Sequence, residues 1–318
     1  MTAGPGAPGT PEPPVVLTIA GSDSGAGAGI QADLKSVAAL GGFAVTAVTA
    51  VTAQNTRTVT AVHPVPTAVV AAQIDAVLDD MPVAATKTGM LATAETIGLV
   101  TDLARAGRLP SLVVDPVLVA SSGRPLLDGA GIHAMRRLTG AALVTTPNLW
   151  EAALLAGVDV EALTGVDAMV EAARRIHGFG ARWVLVKGGH LPGVAPGAGP
   201  GAGPAPGQVP DVLVGDGEVH VLEATHVATT NVHGTGCSLS AAIATGLARQ
   251  AGGGPGAGVP EAVEEAKQFV HEALSGGARW RLGAGHGPLD HLGHLWASAS
   301  SREPATGGPA GRGGSPGT

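Results

Sequence analysis

Between residues 15 and 187 this chain alternates short β-branched runs with helical patterns, and few architectures accommodate that order. Strands are expected at 15–20, 44–51, 84–87, 112–114, 142–145 and 183–187. Helices are expected near 30–40, 67–80, 94–106, 131–138, 148–156 and 168–179. Strands separated by helix-length crossovers run parallel, and a parallel sheet needs helices on both faces. Ligands should then gather at the carboxyl ends of the strands.

Composition narrows the class. The 318 residues are 45% hydrophobic and 14% charged, with 50 glycines, 24 prolines and one cysteine, enough for one large α/β domain or two small ones. A single cysteine excludes a disulfide framework and a multi-cysteine metal cluster and fits a reducing compartment, so a cytoplasmic location is expected. Residues 1–14 carry neither the basic nor the apolar segment of a secretory signal. The longest charge-free stretch, 36–56, is broken by Gly41-Gly42 and by threonines alternating with valine and alanine, which suits a strand better than a membrane helix. A formal net charge of −7 without a Lys/Arg cluster argues against a nucleic-acid partner. Residues 1–14 and 298–318 are poor in large apolar side chains and are expected to be disordered tails to a domain spanning 15–297. Residues 192–210, PGVAPGAGPGAGPAPGQVP, are expected to form a flexible surface loop.

Several segments carry candidate chemistry. The turn His233-Gly234-Thr235-Gly236-Cys237-Ser238 opens a helix-like run. Its glycines let backbone amides converge on an anion, and the helix dipole adds to that field. The same field is expected to lower the Cys237 thiol pKa, making it a candidate base or nucleophile; a lone cysteine can equally be a packing residue. After the first strand lies GSDSGAGAGIQAD (21–33), which matches neither a dinucleotide fingerprint nor a P-loop. Gln54 ends the second strand, where its amide can offer a donor and an acceptor to one heterocycle edge. In TPNLWE (146–151), Asn148 and Glu151 suit a metal-bound water or phosphate oxygens, and suit a helix cap equally. Lys187-Gly188-Gly189-His190 puts a cation at another strand end. His286, His291 and His294 read as a solvated C-terminal group rather than a metal site.

These segments, in this order, resemble the hydroxymethylpyrimidine/phosphomethylpyrimidine kinases of the ribokinase superfamily. The similarity extends from about 15 to 291 and includes TKTGML (86–91), VVDPVLVASSG (113–123), TPNLWEA (146–152), VKGGH (186–190), HGTGCSLSAAIA (233–244) and GHGPLDH (285–291). Trp150 and Val232 depart from common family residues, and the 192–210 segment is long. The resemblance implies a three-layer α/β/α sandwich with a mainly parallel sheet and ATP-dependent phosphorylation of 4-amino-5-hydroxymethyl-2-methylpyrimidine and its monophosphate. It implies aminopyrimidine contacts from Gly21, Asp33, Gln54 and Met90, and ATP phosphates over Gly234, Thr235, Gly236, Cys237 and Lys187. Asn148 and Glu151 would organise Mg²⁺ and phosphate with help from Asp115, and Cys237 would be the base. No membrane or nucleic-acid partner and a homodimeric state are expected. Pyridoxine or pyridoxal kinase activity, or a non-catalytic pyrimidine sensor, are the alternatives.

Overall fold

The computed structural model describes residues 12–118, 127, 129–189, 191, 207–251 and 258–293. Nine strands form one sheet in the order β3-β2-β1-β4-β5-β6-β7-β8-β9. The parallel part comprises β1 (Val15–Asp23), β2 (Phe43–Gln54), β4 (Val83–Thr88), β5 (Val113–Val114), β6 (Val144–Thr145) and β7 (Trp183–Lys187). Antiparallel strands extend both edges: β3 (Val59–Pro64) pairs with β2, and the hairpin of β8 (Gln208–Gly215) and β9 (Glu218–Thr225) pairs with β7. Sequence alternation did not reveal these three strands, and Gln208–Pro210 belong to β8 rather than to a loop. Residues 192–206 lie outside the described residues, as do His190 and His294. At the other boundary Pro14 is already tied in, its carbonyl accepting from the Phe43 amide.

Side chains leave a strand on alternating faces, which explains the two separate cores. Leu17 and Ile19 of β1, and Val184 and Val186 of β7, face one core; Val16, Trp183 and Leu185 face the other. The first core is covered by α2 (Thr67–Leu78), α3 (Ala94–Arg105), α4 (Gly129–Thr139), α5 (Leu149–Ala156) and α6 (Val166–His177). The second is covered by α1 (Gly29–Ala39), α7 (Thr235–Arg249) and α8 (Val259–Gly277). The expected three-layer sandwich is what results.

The chain leaves β1 through α1 on one face towards β2, and leaves β4 through α3 on the other face towards β5. Neighbouring strands whose connections diverge in this way open a crevice at their carboxyl ends. That crevice lies between the glycine-rich turn after β1 and the Gly89-Met90 turn after β4, and α7 packs across β4 and against α1.

Candidate active site

The turn after β1 is shaped by its own side chains. Asp23 accepts from the amides of Gly25, Gly27 and Ala28, at 2.8, 3.1 and 2.9 Å. His233 Nε2 lies 2.9 Å from the same carboxylate. Burial opposes its ionisation, but the His233 bond and the loop amides outweigh that and hold its pKa below the usual range. Lys35 Nζ caps the Ala26 carbonyl at 2.7 Å. Ser24 and Gln54 tie the turn to the end of β2 by two reciprocal bonds, Ser24 Oγ to the Gln54 carbonyl and the Gln54 amide to Ser24 Oγ.

A second turn meets the first. Gly234 has φ +88°, and a Cβ there would sit 1.8 Å from the Gly27 carbonyl oxygen, so only glycine permits this approach. The Thr235 amide and hydroxyl both close on the Val232 carbonyl, and the Ser238 amide closes on Gly234. The amides of Gly236 and Cys237, at the first turn of a 15-residue helix, face out of the helix start, where an anion would meet them and the dipole. Thr235 is therefore occupied in building the turn.

Of the residues expected to face a heterocycle, three lie around this crevice. A Cβ on Gly21 would come 2.5 Å from Met90 Cε, so Gly21 and Met90 form one wall. Gln54 Nε2 stands 3.1 Å from His233 Nε2. Asp33 is placed elsewhere. It is fully buried in α1, with both carboxylate oxygens on Lys87 Nζ at 2.8 and 2.9 Å and one also accepting from Thr18. The structure thus puts no open face on Asp33 for a ring contact.

The remaining candidates converge below α7. Lys187 Nζ lies 3.1 Å from Asp115 Oδ1, and a Cβ on Gly236 would sit 3.1 Å from that Nζ and 3.7 Å from Asp115 Oδ2. Asp115 also accepts from Thr146. Asn148 and Glu151 form a complete capping box, with bonds of 2.9 and 2.8 Å between each side chain and the other's amide. The cap reading of these letters is realised, and the same geometry brings Glu151 near Lys187 and Asp115. Burial lifts the Glu151 pKa to about 7; Lys187 works against the rise and Asp115 adds to it. Burial would lower the Lys187 pKa, yet Asp115 and Glu151 raise it overall, so it stays cationic.

Cys237 corrects an expectation. Its pKa is raised to about 11, chiefly by burial, although Lys87 and a bond from the Gly29 amide pull it down. Asp33 and Asp115 push it further up. Part of the residue remains accessible, but around the sulfur desolvation exceeds the field of the helix start. His291 is a second correction: it is 3% exposed, not solvated, and Ser238 Oγ lies 2.7 Å from its Nε2. His286 is exposed, as expected.

Asp23 belongs to this site without having stood out as chemistry, Lys87 lies buried beside it as the partner of Asp33, and His233, expected only to border the phosphate turn, bonds Asp23 and Gln54. The signals were present: an aspartate two and four residues before glycines in a turn, a lone lysine in an otherwise uncharged strand, and a histidine directly before the anion turn.

A turn of open amides backed by Lys187, two carboxylates beside it and an adjoining crevice for an acceptor together define a kinase of ribokinase-like fold. A family model described as Phosphomethylpyrimidine kinase matches residues 23–290, and the chain belongs to that family. A hydroxymethylpyrimidine/phosphomethylpyrimidine kinase of Rhizobium meliloti (strain 1021) is 47% identical over 288 residues, covering 89% of this chain and 98% of the relative. One from Streptomyces coelicolor is 44% identical over 280 residues, covering 88% and 94%. Among solved structures, pyridoxal kinase from Staphylococcus aureus in complex with AMP-PCP and pyridoxal superposes with TM-score 0.75 at 34% identity, covering 89% of this chain and 95% of that one. Phosphomethylpyrimidine kinase from Clostridium difficile 630 superposes with TM-score 0.66 at 36% identity, covering 82% and 99%.

Proposed function

We propose that this enzyme transfers the γ-phosphoryl group of ATP to 4-amino-5-hydroxymethyl-2-methylpyrimidine and then to the resulting monophosphate, within thiamine biosynthesis. The observation that carries the reading is His233. It touches Gln54 at 3.1 Å on the crevice side and leads directly into the Gly234–Cys237 amide turn, so acceptor pocket and phosphate turn are one construction.

Gln54 would hydrogen-bond the aminopyrimidine edge, and Met90 with Gly21 would cover its apolar face. Lys187 and the amides of Gly236 and Cys237 would hold phosphate oxygens. For the transfer Cys237 must first lose its own proton to solvent; the substrate O–H bond then breaks and its proton passes to the Cys237 thiolate, restoring the thiol. The oxygen pair forms the new O–P bond, and the Pγ–O bond breaks with its electrons leaving on ADP. The transition state is loose, so proton transfer can be late.

The donor set suits Mg²⁺. Asp115 and Glu151 are hard oxygen donors, and a buried carboxylate held at a pKa of about 7 beside another carboxylate is one whose ionisation a cation would favour. Among the described residues no cluster of three or more ligating side chains exists, in keeping with an ion held largely by substrate phosphates and water. Bound there, Mg²⁺ would neutralise phosphate charge. No described helix is long and apolar enough to cross a membrane. We read the protein as cytoplasmic and homodimeric, the latter supported by Phe43, Val51, Val59 and Val62 exposed along the β2–β3 edge.

Pyridoxal is the second reading, because the pyridoxal-bound S. aureus kinase superposes better than the phosphomethylpyrimidine kinase from C. difficile. Incubation with ATP, Mg²⁺ and each heterocycle, with products identified by mass, decides. Pyrimidine mono- and diphosphate are expected; phosphorylation of pyridoxal alone would overturn the assignment.

A further inference from the structure

Two side chains converge on one ring nitrogen beside the crevice. His233 Nε2 lies 2.9 Å from Asp23 Oδ2 and 3.1 Å from the terminal nitrogen of Gln54. Asp23 is buried and the histidine ring nearly so. Turning the ring over would set a carbon against both neighbours. Its other edge packs against bare backbone, since a Cβ on Gly27 would come within 2.3 Å of His233 Cδ2. The His233 amide is held as well, donating to the Gly287 carbonyl at 3.1 Å.

The hydrogens at this junction can be assigned. Asp23 accepts the amides of Gly25, Gly27 and Ala28 on its two oxygens, so it is an ionised carboxylate with nothing to donate. His233 Nε2 must then carry a hydrogen directed at Oδ2. A nitrogen carrying that hydrogen has no lone pair to accept from an amide, so an NH₂ group of Gln54 at 3.1 Å would meet it donor to donor. The two ends of a glutamine amide are alike in size, and hydrogen-bond partners decide which is which. Half a turn of the amide puts its oxygen against the His233 N–H, which the carboxylate and the amide oxygen then share. The far end agrees with this orientation. Thr52 Oγ1 gives its one hydrogen to the Ser22 carbonyl at 3.0 Å, so towards the end of Gln54, 3.5 Å away, it offers only lone pairs. An NH₂ group suits that side and an oxygen does not.

We propose that the Asp23–His233 pair is a specificity device: it locks the Gln54 amide with its oxygen towards His233 and its NH₂ towards Thr52, and so fixes the order in which acceptor and donor face the substrate ring. His233 is thereby a positioning residue acting through Gln54. The proposal deepens the pyrimidine kinase reading and rests on it for the identity of the substrate. A 4-aminopyrimidine edge carries an amino donor beside a ring-nitrogen acceptor. The corresponding 4-oxo compound, in its N3–H form, carries the reverse. The ring cannot turn over to compensate, because its hydroxymethyl arm must reach the Gly234–Cys237 turn. An amide free to rotate would take either edge. A locked amide takes one, and leaves two buried polar pairs mismatched with the other.

Two measurements test it. The first needs no ligand: the tautomer of His233 is read from ¹⁵N–¹H correlations of its ring in labelled native protein, the signals assigned by their loss in His233→Gln. Hydrogen on Nε2 is expected. The Nδ1–H tautomer, which leaves Nε2 as an acceptor for Gln54, would overturn the inference whatever the enzyme phosphorylates. The second compares kcat/KM for 4-amino-5-hydroxymethyl-2-methylpyrimidine and its 4-oxo analogue, with ATP and Mg²⁺, in native enzyme, His233→Leu and His233→Gln. Native enzyme should favour the amino compound by about 100-fold or more. His233→Leu frees the amide and should lower that preference to about 10-fold or less, whereas His233→Gln, which can still donate to Asp23 and Gln54, should restore most of it. Rates for both compounds falling by the same factor in folded His233→Leu would make the histidine merely structural and overturn the inference, as would a native enzyme that takes both compounds equally; either result leaves the kinase reading standing. Should His233→Leu not fold, the tautomer and the native preference still decide. A native enzyme that phosphorylates neither pyrimidine refutes the kinase reading, and the tautomer then decides the inference by itself.

Discussion

His291 should make the domain acid-sensitive well above the range in which carboxylates titrate. The ring is buried, with Lys35 adding like charge, and its pKa is lowered from 6.5 to about 4, the Leu289 backbone only partly opposing the shift. Nδ1 makes no hydrogen bond of normal geometry and has only the Leu289 backbone nearby, so the proton added on acidification enters a buried site with one weak acceptor. On the other side Ser238 Oγ donates to the Gly234 carbonyl at 2.8 Å, which leaves His291 Nε2–H as donor to Ser238. A folded pKa below the unfolded value stabilises the protein above the unfolded pKa, and that stability is lost as pH falls through the folded one. The window is therefore pH 6.5 down to about 4. The full difference corresponds to about 3 kcal/mol, of which about 2 kcal/mol is gone by pH 5. For a domain this large that is a melting-temperature loss of about 4–8 °C.

Glu151 acts in the opposite sense over an overlapping window, because its raised pKa favours the fold below 4.5 and loses that contribution as pH rises through about 7. The native protein alone would mix the two. The measurement is therefore the difference between native enzyme and His291→Gln, melted by calorimetry in matched buffers from pH 8 to pH 4.5. His291→Gln retains a donor towards Ser238 and removes the titration. The gap between the two proteins should narrow or invert as pH falls from 6.5. A gap constant from pH 8 to 4.5 would mean that His291 is not held neutral by burial.

Cys237→Ser should fold and bind ATP normally while turnover falls by about two orders of magnitude, the scale of a lost general base; near-normal turnover in a coupled ADP-release assay would remove Cys237 from the proton path. Gln54→Leu should weaken pyrimidine binding by about 1–3 kcal/mol with little change for ATP, and calorimetric titration showing equal losses for both would mark the residue as structural. Gly234→Ala forces a Cβ towards the Gly27 carbonyl at a φ of +88°. It should cost about 1–3 kcal/mol of stability and most of the turnover, and an unchanged melting temperature and rate would show that the two turns need not touch.

What the sequence revealed divides along the range of the forces involved. The parallel strands and their helices were legible because each buries a repeating apolar face over a few residues, as in VVLTIA of β1 and WVLVK of β7. Strand β8 was hidden: QVPDVLVG follows a Gly/Pro-rich stretch and contains Pro210 and Asp211, residues that argue against a strand until Asp211 is seen to accept from Lys267 at 2.6 Å. Strand β3 is exposed along its whole length and has no apolar period to read. Asp33 was expected at the pocket from the family resemblance, and nothing local corrected that, because its partner Lys87 lies 54 positions away.

Cys237 shows where local reasoning reaches its limit. A thiol in the first turn of a helix should be acidified, and the turn is built as expected. The direction nevertheless reverses, because burial under α1 and the nearby Asp33 and Asp115 oppose a helix-end field of short reach. In the free site the sulfur is therefore a thiol, its protonation set by burial and by charges that residues distant in sequence bring near it. A general base of high intrinsic pKa is strong once deprotonated. The chemistry at residue 237 is then set as much by residues 29, 33 and 87 as by the turn that carries it.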